Sequence, residues 1–415
     1  MAKLSADLYS PGLFDIRQDI IGSLPLALVK DWLETGQSKS DAQALLANYK
    51  IKGFSVSSDA AGLSKLSKSR PLLEVLALVN RPKEIVYTIG KKIGGQSIGI
   101  WAADNTQMFY PADVQAAYLL SALLTAQAEI NKTCEVKIGL GAHFGEYYHI
   151  NGGLYGEEAD AIEDFAENET EGGEVLITQS IFQMLPADHG FEIVKKRSGK
   201  SMLGQVYSVV SGPLLPEIPK LNKHYPIPYS QDFYEDLIEF EDDLSNTSLA
   251  DSLVKKYLNQ KVVVLVERES QESSEHMVNM FTDMSFSALM KDAGIQLLTK
   301  HAGDEIKVVG NLGIYVFNSP QIAFAFSKEF QDVLNRQNVE TRIGIDKGPV
   351  LVFDLPAGGK DIAGMPVNIA SKMAQDKGRF GHVYVNGHLR ESLDVSALTQ
   401  IKYTVSDIEM TIYEG

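Results

Sequence analysis

The side chains of this chain that could do chemistry gather in one block, from Thr341 to Asn386, where Asp361, Asn368 and Lys372 stand among short apolar runs and glycines. Other chemistries have little support. The Ser-rich patches Ser55–Ser58 and Ser270–Ser274 lack a nucleophile elbow, and Gly139-Leu-Gly141 is an isolated Gly-x-Gly without a strand–helix–strand context. The eight histidines show no metal-ligand spacing, and His143 sits at a turn. Taken singly, Asp361, Asn368 and Lys372 are compatible with a solvated surface, so their meaning lies in their order and frame.

That frame is legible. Arg342–Ile345 reads as a strand entering a turn at Asp346-Lys347-Gly348, and Val350–Phe353 as the β-branched strand leaving it. A loop over Pro356–Lys360 precedes a helix near Val367–Met373, whose apolar Val367, Ile369, Ala370 and Met373 follow helical spacing. Gly378 and Gly381 stop the helix before a last strand, His382–Val385. The block resembles the substrate-binding half of a class III nucleotide cyclase domain. It has the strand–turn Arg-Ile-Gly-Ile-x-x-Gly at 342–348, an Asp-x-x-Gly at 361–364 and Val-Asn-x-Ala-x-Lys-Met at 367–373.

Composition bounds the rest. A chain of 415 residues suits two domains with connecting elements, and 44% hydrophobic residues with mixed charge is ordinary for a folded protein. The formal charge of −16 opposes a general nucleic-acid binder but leaves room for a nucleotide pocket with a few local cations. The single cysteine, Cys134, forms no intrachain disulfide and reads as an unreactive strand-edge residue. No run reaches the roughly 20 apolar residues of a spanning helix, and the start lacks a signal peptide's pattern. The expectation is a cytoplasmic protein.

In chain order, residues 1–49 suggest two helices broken near Gly36, with Ser38 or Ser40 as caps. Lys52–Ser57 reads as a strand followed by Asp59, Glu84–Ile89 as strand-like, Lys91–Gly95 as a turn, Ser97–Trp101 as a strand and Ala112–Asn131 as a long helix. The opening block then returns in weaker form. Gly141 to Gly145 matches Gly344 to Gly348, and Gly156 to Gly173 matches Gly364 to Gly381. Upstream, Gly94-Gly95 corresponds to Gly303-Asp304. An internal repeat of about 150 residues is a duplicated domain, not a solenoid. The expected division is a helical segment 1–49, a first domain 50–211, a Pro-rich spacer and acidic linker helix 212–259, and a second domain 260–415. The resemblance implies an α+β fold: two ferredoxin-like cyclase homology domains packed as a pseudo-twofold pair.

The resemblance also implies roles. Family members bind nucleotide in a groove between two such domains, where the ribose 3′-oxygen attacks the α-phosphorus and pyrophosphate leaves. Mg²⁺ or Mn²⁺ is held by two aspartates of one domain, and the partner domain supplies an adenine-reading Lys and Asp, a ribose Asn and a phosphate Arg. In the second copy these positions fall on Lys300, Asp361, Asn368 and Lys372, a Lys where Arg is usual and therefore a weaker clamp. In the first copy Asp59 is the first metal aspartate, and the second position is lost at Gly95. The mirror site is degenerate. It offers Lys91, Gly153 in place of Asp, Asp160 and Asp164, together with Asp304 and either Glu267 or Arg268.

Two functional readings stand. One is a degenerate, impaired or inactive tandem cyclase homologue that senses ATP or another nucleotide, or protein partners, in signalling. The other is a working adenylate cyclase, slow or partner-activated, that needs Mg²⁺ or Mn²⁺. Neither involves nucleic acid or a transmembrane segment.

Overall fold

A computed structural model describes residues 4–16, 25–101, 105–196, 202–221, 229–270, 275–355, 359–376, 378–405 and 408–415. The Pro-rich spacer, the Ser270–Ser274 patch and the loop at 356–360 fall partly outside the described residues. The chain divides into two compact units, residues 46–250 and residues 1–45 together with 251–415.

The first sheet comprises β1 (Lys50–Ala60), β2 (Gln96–Ser97), β3 (Thr106–Pro111), β4 (Ile138–Ile150), β5 (Gly153–Tyr155), β6 (Val175–Thr178), β7 (Glu192–Lys195) and β8 (Val206–Ser211). Its order is β2-β3-β1-β4-β6-β8-β7, with β5 paired to β4. The second sheet comprises β9 (Leu258–Arg268), β10 (Gly303–Val309), β11 (Leu312–Phe317), β12 (Thr341–Asp354), β13 (Lys360–Ala363), β14 (Val383–Asn386), β15 (Thr399–Val405) and β16 (Ile408–Glu414). Its order, β10-β11-β9-β12-β14-β16-β15 with β13 on β12, repeats the first strand for strand. The fold is α+β in both units.

Twelve α-helices are described. They are α1 (Leu26–Leu33), α2 (Lys39–Leu46), α3 (Leu63–Ser69), α4 (Leu72–Lys92), α5 (Ala116–Thr133), α6 (Glu157–Glu169), α7 (Gln179–Phe182), α8 (Gln231–Asp242), α9 (Thr247–Tyr257), α10 (His276–Leu298), α11 (Pro320–Asn335) and α12 (Met365–Ser371). None is long and apolar enough to cross a membrane among the described residues.

Each sheet is built on one long antiparallel pair. β1 runs against β4 from Lys50↔Tyr148 to Ala60↔Ile138, and β9 against β12 from Leu258↔Leu351 to Arg268↔Thr341. Val262–Val266 of β9 is buried throughout, the continuous apolar run of a strand covered on both faces. α12 lies on β12 because Gly344 has no side chain: a Cβ there would sit 2.1 Å from the Ala370 carbonyl oxygen.

Several local expectations fail. Asp346-Lys347-Gly348 and His143 lie within the continuous strands β12 and β4, not at turns, because each long strand stays paired with its neighbour throughout. Of Ser97–Trp101 only Ser97 belongs to a strand, β2. Glu84–Ile89 is not a strand but the middle of α4. This helix is covered by both α5 and α8 and touches β3, so apolar residues on most of its faces blur the helical period and its length is the better guide. Cys134 is not at a strand edge; it caps the C-terminus of α5, where burial raises its thiol pKa.

The helices that precede each repeat are exchanged between the units. α1, which leads into the first repeat, packs on α10 of the second, with Trp32 stacked on Phe281 at 4.6 Å. α8, which leads into the second repeat, packs on α4 of the first. Its Phe233, Tyr234, Leu237 and Phe240 are buried, and the Tyr234 hydroxyl and the Asn80 amide both donate to the Glu84 carboxylate, at 3.3 and 3.0 Å. Leu237→Ala is therefore expected to cost about 2–5 kcal/mol in the unit formed by residues 46–250. Hydrogen exchange checks this: protection should fall in α4 while β9 and β12 keep theirs.

Candidate functional site

An ion pair between a half-buried lysine and a buried aspartate stands out in the second repeat. Lys307 on β10 places Nζ 2.7 Å from Oδ1 of Asp361 on β13. Asp361 is 5% exposed, and the same oxygen accepts the backbone N–H of Ile362 at 2.8 Å. Beneath the pair, Ile306, Ile314, Val316, Val350 and Ile362 form one apolar cluster with Ala370 and Ala374 of the helix beyond. A carboxylate this buried needs such a cation and hydrogen bond to remain charged.

Lys300 lies elsewhere. That residue is exposed and pairs with Glu329 of α11, at 2.7 and 2.8 Å, beside His301, whose Nε2 is 2.8 Å from the same carboxylate. These hydrogen bonds, from Lys300 and then His301, hold the Glu329 carboxyl below its usual range. Lys300 and Lys307 each stand three residues before a glycine, Gly303 and Gly310, so spacing alone could not separate them. The β10–β11 turn falls at Gly310-Asn311, with Gly310 at φ +55°, whereas Gly303 and Asp304 open β10. At about 3.3 Å per residue the two ends of β10 lie roughly 20 Å apart. Asp304, exposed and opposite Val316, is thus not in the turn.

Asn368 and Lys372 are four residues apart, Asn368 exposed on α12 and Lys372 half-buried at the start of a π turn over Lys372–Asp376. Lys372 Nζ is 3.9 Å from the Asp376 carboxylate.

The first repeat carries Asp59, half-buried near the C-terminal end of β1 and opposite Gly139 of β4. Gly95 does not occupy the equivalent of the β10–β11 turn. It lies between α4 and β2, donates its N–H to the Gly90 carbonyl and sits under Tyr110 and Met108. The strand register supplies the correct position. Gln107 opposes Ser57 as Ile314 opposes Leu265, and Ser57 and Leu265 oppose the matched glycines Gly141 and Gly344. Three residues before Ile314 is Asn311; three before Gln107 is Asp104, which lies outside the described residues.

The same register makes Glu267, not Arg268, the counterpart of Asp59. Glu267 is turned inward: its carboxylate accepts from Arg342 Nε and, at 3.1 Å, from the Asn311 amide. Arg342 also donates to the Gly378 carbonyl at 2.8 Å. Arg268 is fully buried and bonded to Asp283 at 2.8 Å. Lys91 ends α4 and is no strand residue; the ladder place of Lys307 is taken in the first repeat by Ile98, which donates to the Gln107 carbonyl. Gly153 lies in β5, and Asp160 and Asp164 are exposed on α6, Asp164 accepting from Asn168 at 2.8 Å.

A further buried carboxylate escaped the sequence reading. Asp346 on β12 is 4% exposed and faces His388 Nε2 at 3.5 Å. Burial pushes its carboxyl up to about 7, against the opposing pull of the Lys347 N–H and the Asn386 amide.

Two outcomes follow. Between the ordinary aspartate value of about 4 and about 7, the unfolded chain releases the Asp346 proton while the folded chain keeps it, so stability falls as pH rises through that window. Asp346→Asn should flatten this slope in urea midpoints taken from pH 4 to pH 7. Gly95→Asp should destabilise by about 1–3 kcal/mol without creating a cation site, since its Cβ would meet Tyr110 at 2.5 Å and the Gly90 oxygen at 2.8 Å. Thermal melts with and without Mn²⁺ read both parts.

No family model matches the chain, and no curated protein matches it. Solved structures do. A class III adenylyl cyclase-like ATP-binding protein from Pseudomonas aeruginosa aligns over 83% of this chain and 86% of its own, at 10% identity and TM-score 0.48. An adenylyl cyclase from P. aeruginosa aligns over 38% of this chain and 93% of its own, at 16% identity and TM-score 0.31. A bacterial light-regulated adenylyl cyclase aligns over 39% and 91%, at 17% identity and TM-score 0.33. The solved proteins to which this chain is similar are thus class III cyclases and a cyclase-like ATP-binding protein.

Proposed function

We propose that this protein binds adenine nucleotide through Lys307 and Asp361, and that binding outlasts turnover. The Lys307–Asp361 pair carries the reading. Adenine's edge offers an amine donor beside a ring-nitrogen acceptor, which a carboxylate beside an ammonium complements; guanine reverses that order. Asn368 and Lys372, one helical turn apart on the neighbouring helix, suit ribose and phosphate. A lysine in the clamp keeps the charge but not the planar fork, which lowers transition-state stabilisation more than binding.

Asp59 and Asp104 are the hard oxygen donors that fit Mg²⁺ or Mn²⁺, whereas Glu267, satisfied by Arg342 and Asn311, does not. Asp59 with Asp104 also favours a second reading, slow conversion of ATP to cyclic AMP and pyrophosphate, because both cation carboxylates are then present. Protein partners in signalling and a cytoplasmic location remain part of the first reading.

Calorimetric titration with ATP and Mn²⁺ tests the site. Lys307→Ala and Asp361→Ala should each weaken binding by about 1.5–3 kcal/mol, while Lys300→Ala leaves it unchanged. Equal affinity for GTP, or indifference to both substitutions, would remove the site. Cyclic AMP formation by the wild type decides between the readings, and Lys372→Arg should raise any turnover present.

A further inference from the structure

The N-terminal segment grips α10 through buried contacts. The Tyr9 hydroxyl donates to the Ser285 carbonyl at 3.0 Å, and the Ser10 N–H donates to the Asp292 carboxylate at 2.8 Å. Gln296 ties the same two residues together, at 2.7 Å to the Ser10 hydroxyl and 3.1 Å to Asp292. Trp32, 1% exposed, stacks on Phe281, about three turns before Asp292 on α10. Asp292 itself is 3% exposed, so this is a built contact and not a surface tether.

One residue before Asp292 the grip passes to the base-reading strand. Lys291 Nζ is 2.6 Å from Glu305 Oε1 on β10, and both side chains are largely buried. Directly after Glu305 the β10–β11 register shifts, and Lys307 lies on the far side of that irregularity. Glu305 stands opposite Tyr315 in the ladder. The other Glu305 oxygen, Oε2, and the Tyr315 hydroxyl are both buried without a hydrogen-bond partner. Buried polar atoms left unpaired are costly, and a small shift of β10 that let the hydroxyl donate to Oε2 would satisfy both at once. The joint between α10 and the strand of Lys307 is therefore poised between two arrangements, the condition for a switch.

We propose that residues 4–16 and 25–33 act as a regulatory strap: their hold on α10, passed through Lys291 and Glu305 to the irregularity in β10, sets the position of Lys307. Loosening the strap lets Glu305 take the Tyr315 hydroxyl on its free Oε2 and moves Lys307 relative to Asp361. The consequence for nucleotide rests on the proposed adenine site; the movement of β10 does not.

The full-length protein tests this with two readouts. Trp32→Ala, and the milder Tyr9→Phe, should increase amide exchange over residues 303–309 in nucleotide-free protein and change ATP affinity by about 2- to 30-fold. In a Lys291→Met background the link is cut, so adding Trp32→Ala should leave ATP affinity where Lys291→Met alone puts it. If both strap variants loosen α10 but exchange over residues 303–309 stays unchanged, the strap is only structural and the proposal is wrong. Full additivity of Trp32→Ala with Lys291→Met in ATP affinity would also overturn it. Failure of the wild type to bind ATP would sink the adenine site, and the exchange arm would still decide the strap.

Discussion

Burying a carboxylate as far as that of Asp361 is costly without a cation beside it, and much of the second unit serves to bring one there. β13 pairs with β12 so that Asp361 opposes Phe353, while β10 reaches the same place only through β11 and β9. The long β9–β12 ladder is what holds these two routes in register. A slip of one residue in it would turn alternate side chains to the opposite face and part Lys307 from Asp361. The 2.7 Å ion pair is thus a readout of the whole sheet's alignment.

The two repeats share their strand order yet divide their chemistry. The second keeps the Lys307–Asp361 ion pair, and the first has Ile98 at the ladder place of Lys307 and Gly153 where the second has Asp361. Conversely, Asp59 of the first is matched in the second by Glu267, whose oxygens are already taken by Arg342 and Asn311. The same exchange of roles shows at a buried position. His143, held by Thr178 at 2.9 Å with its pKa lowered by burial, corresponds to Asp346, whose carboxyl burial raises. Opposite charges of the ionised forms at matched places are what divergence after duplication leaves behind.

The fold class, the repeat and the positions of Asp361, Asn368 and Lys372 were legible because glycines and helical periodicity mark them locally. Lys307, Asn311 and Asp104 were not, because they depend on where a hairpin turns. Gly303 and Gly310 offer equivalent signals seven residues apart, and only pairing with β11 chooses between them. The same choice of turn set Gly95 against Asp304, and neither residue lies at a strand-to-strand turn: Asp304 is inside β10 and Gly95 lies between α4 and β2. Arg342 and Glu267 were individually visible, but their bond is a cross-strand contact over 75 residues and has no local signature.

The exchange of leading helices belongs to this second, non-local kind of information. Sequence proximity places α1 with the first repeat and α8 with the second, yet burial places each with the other. Neither repeat alone, cut at its sequence boundary, would cover its own long helix: α10 would lose Trp32 and Tyr9, and α4 would lose Tyr234 and Leu237. Exposing such apolar faces costs about 25 cal/mol for each Å² returned to water. The contacts that complete α10 also lead, through Asp292, Lys291 and Glu305, toward the strand of Lys307. Stability and the geometry of the candidate site therefore draw on the same helix, and a change that weakens one reaches the other.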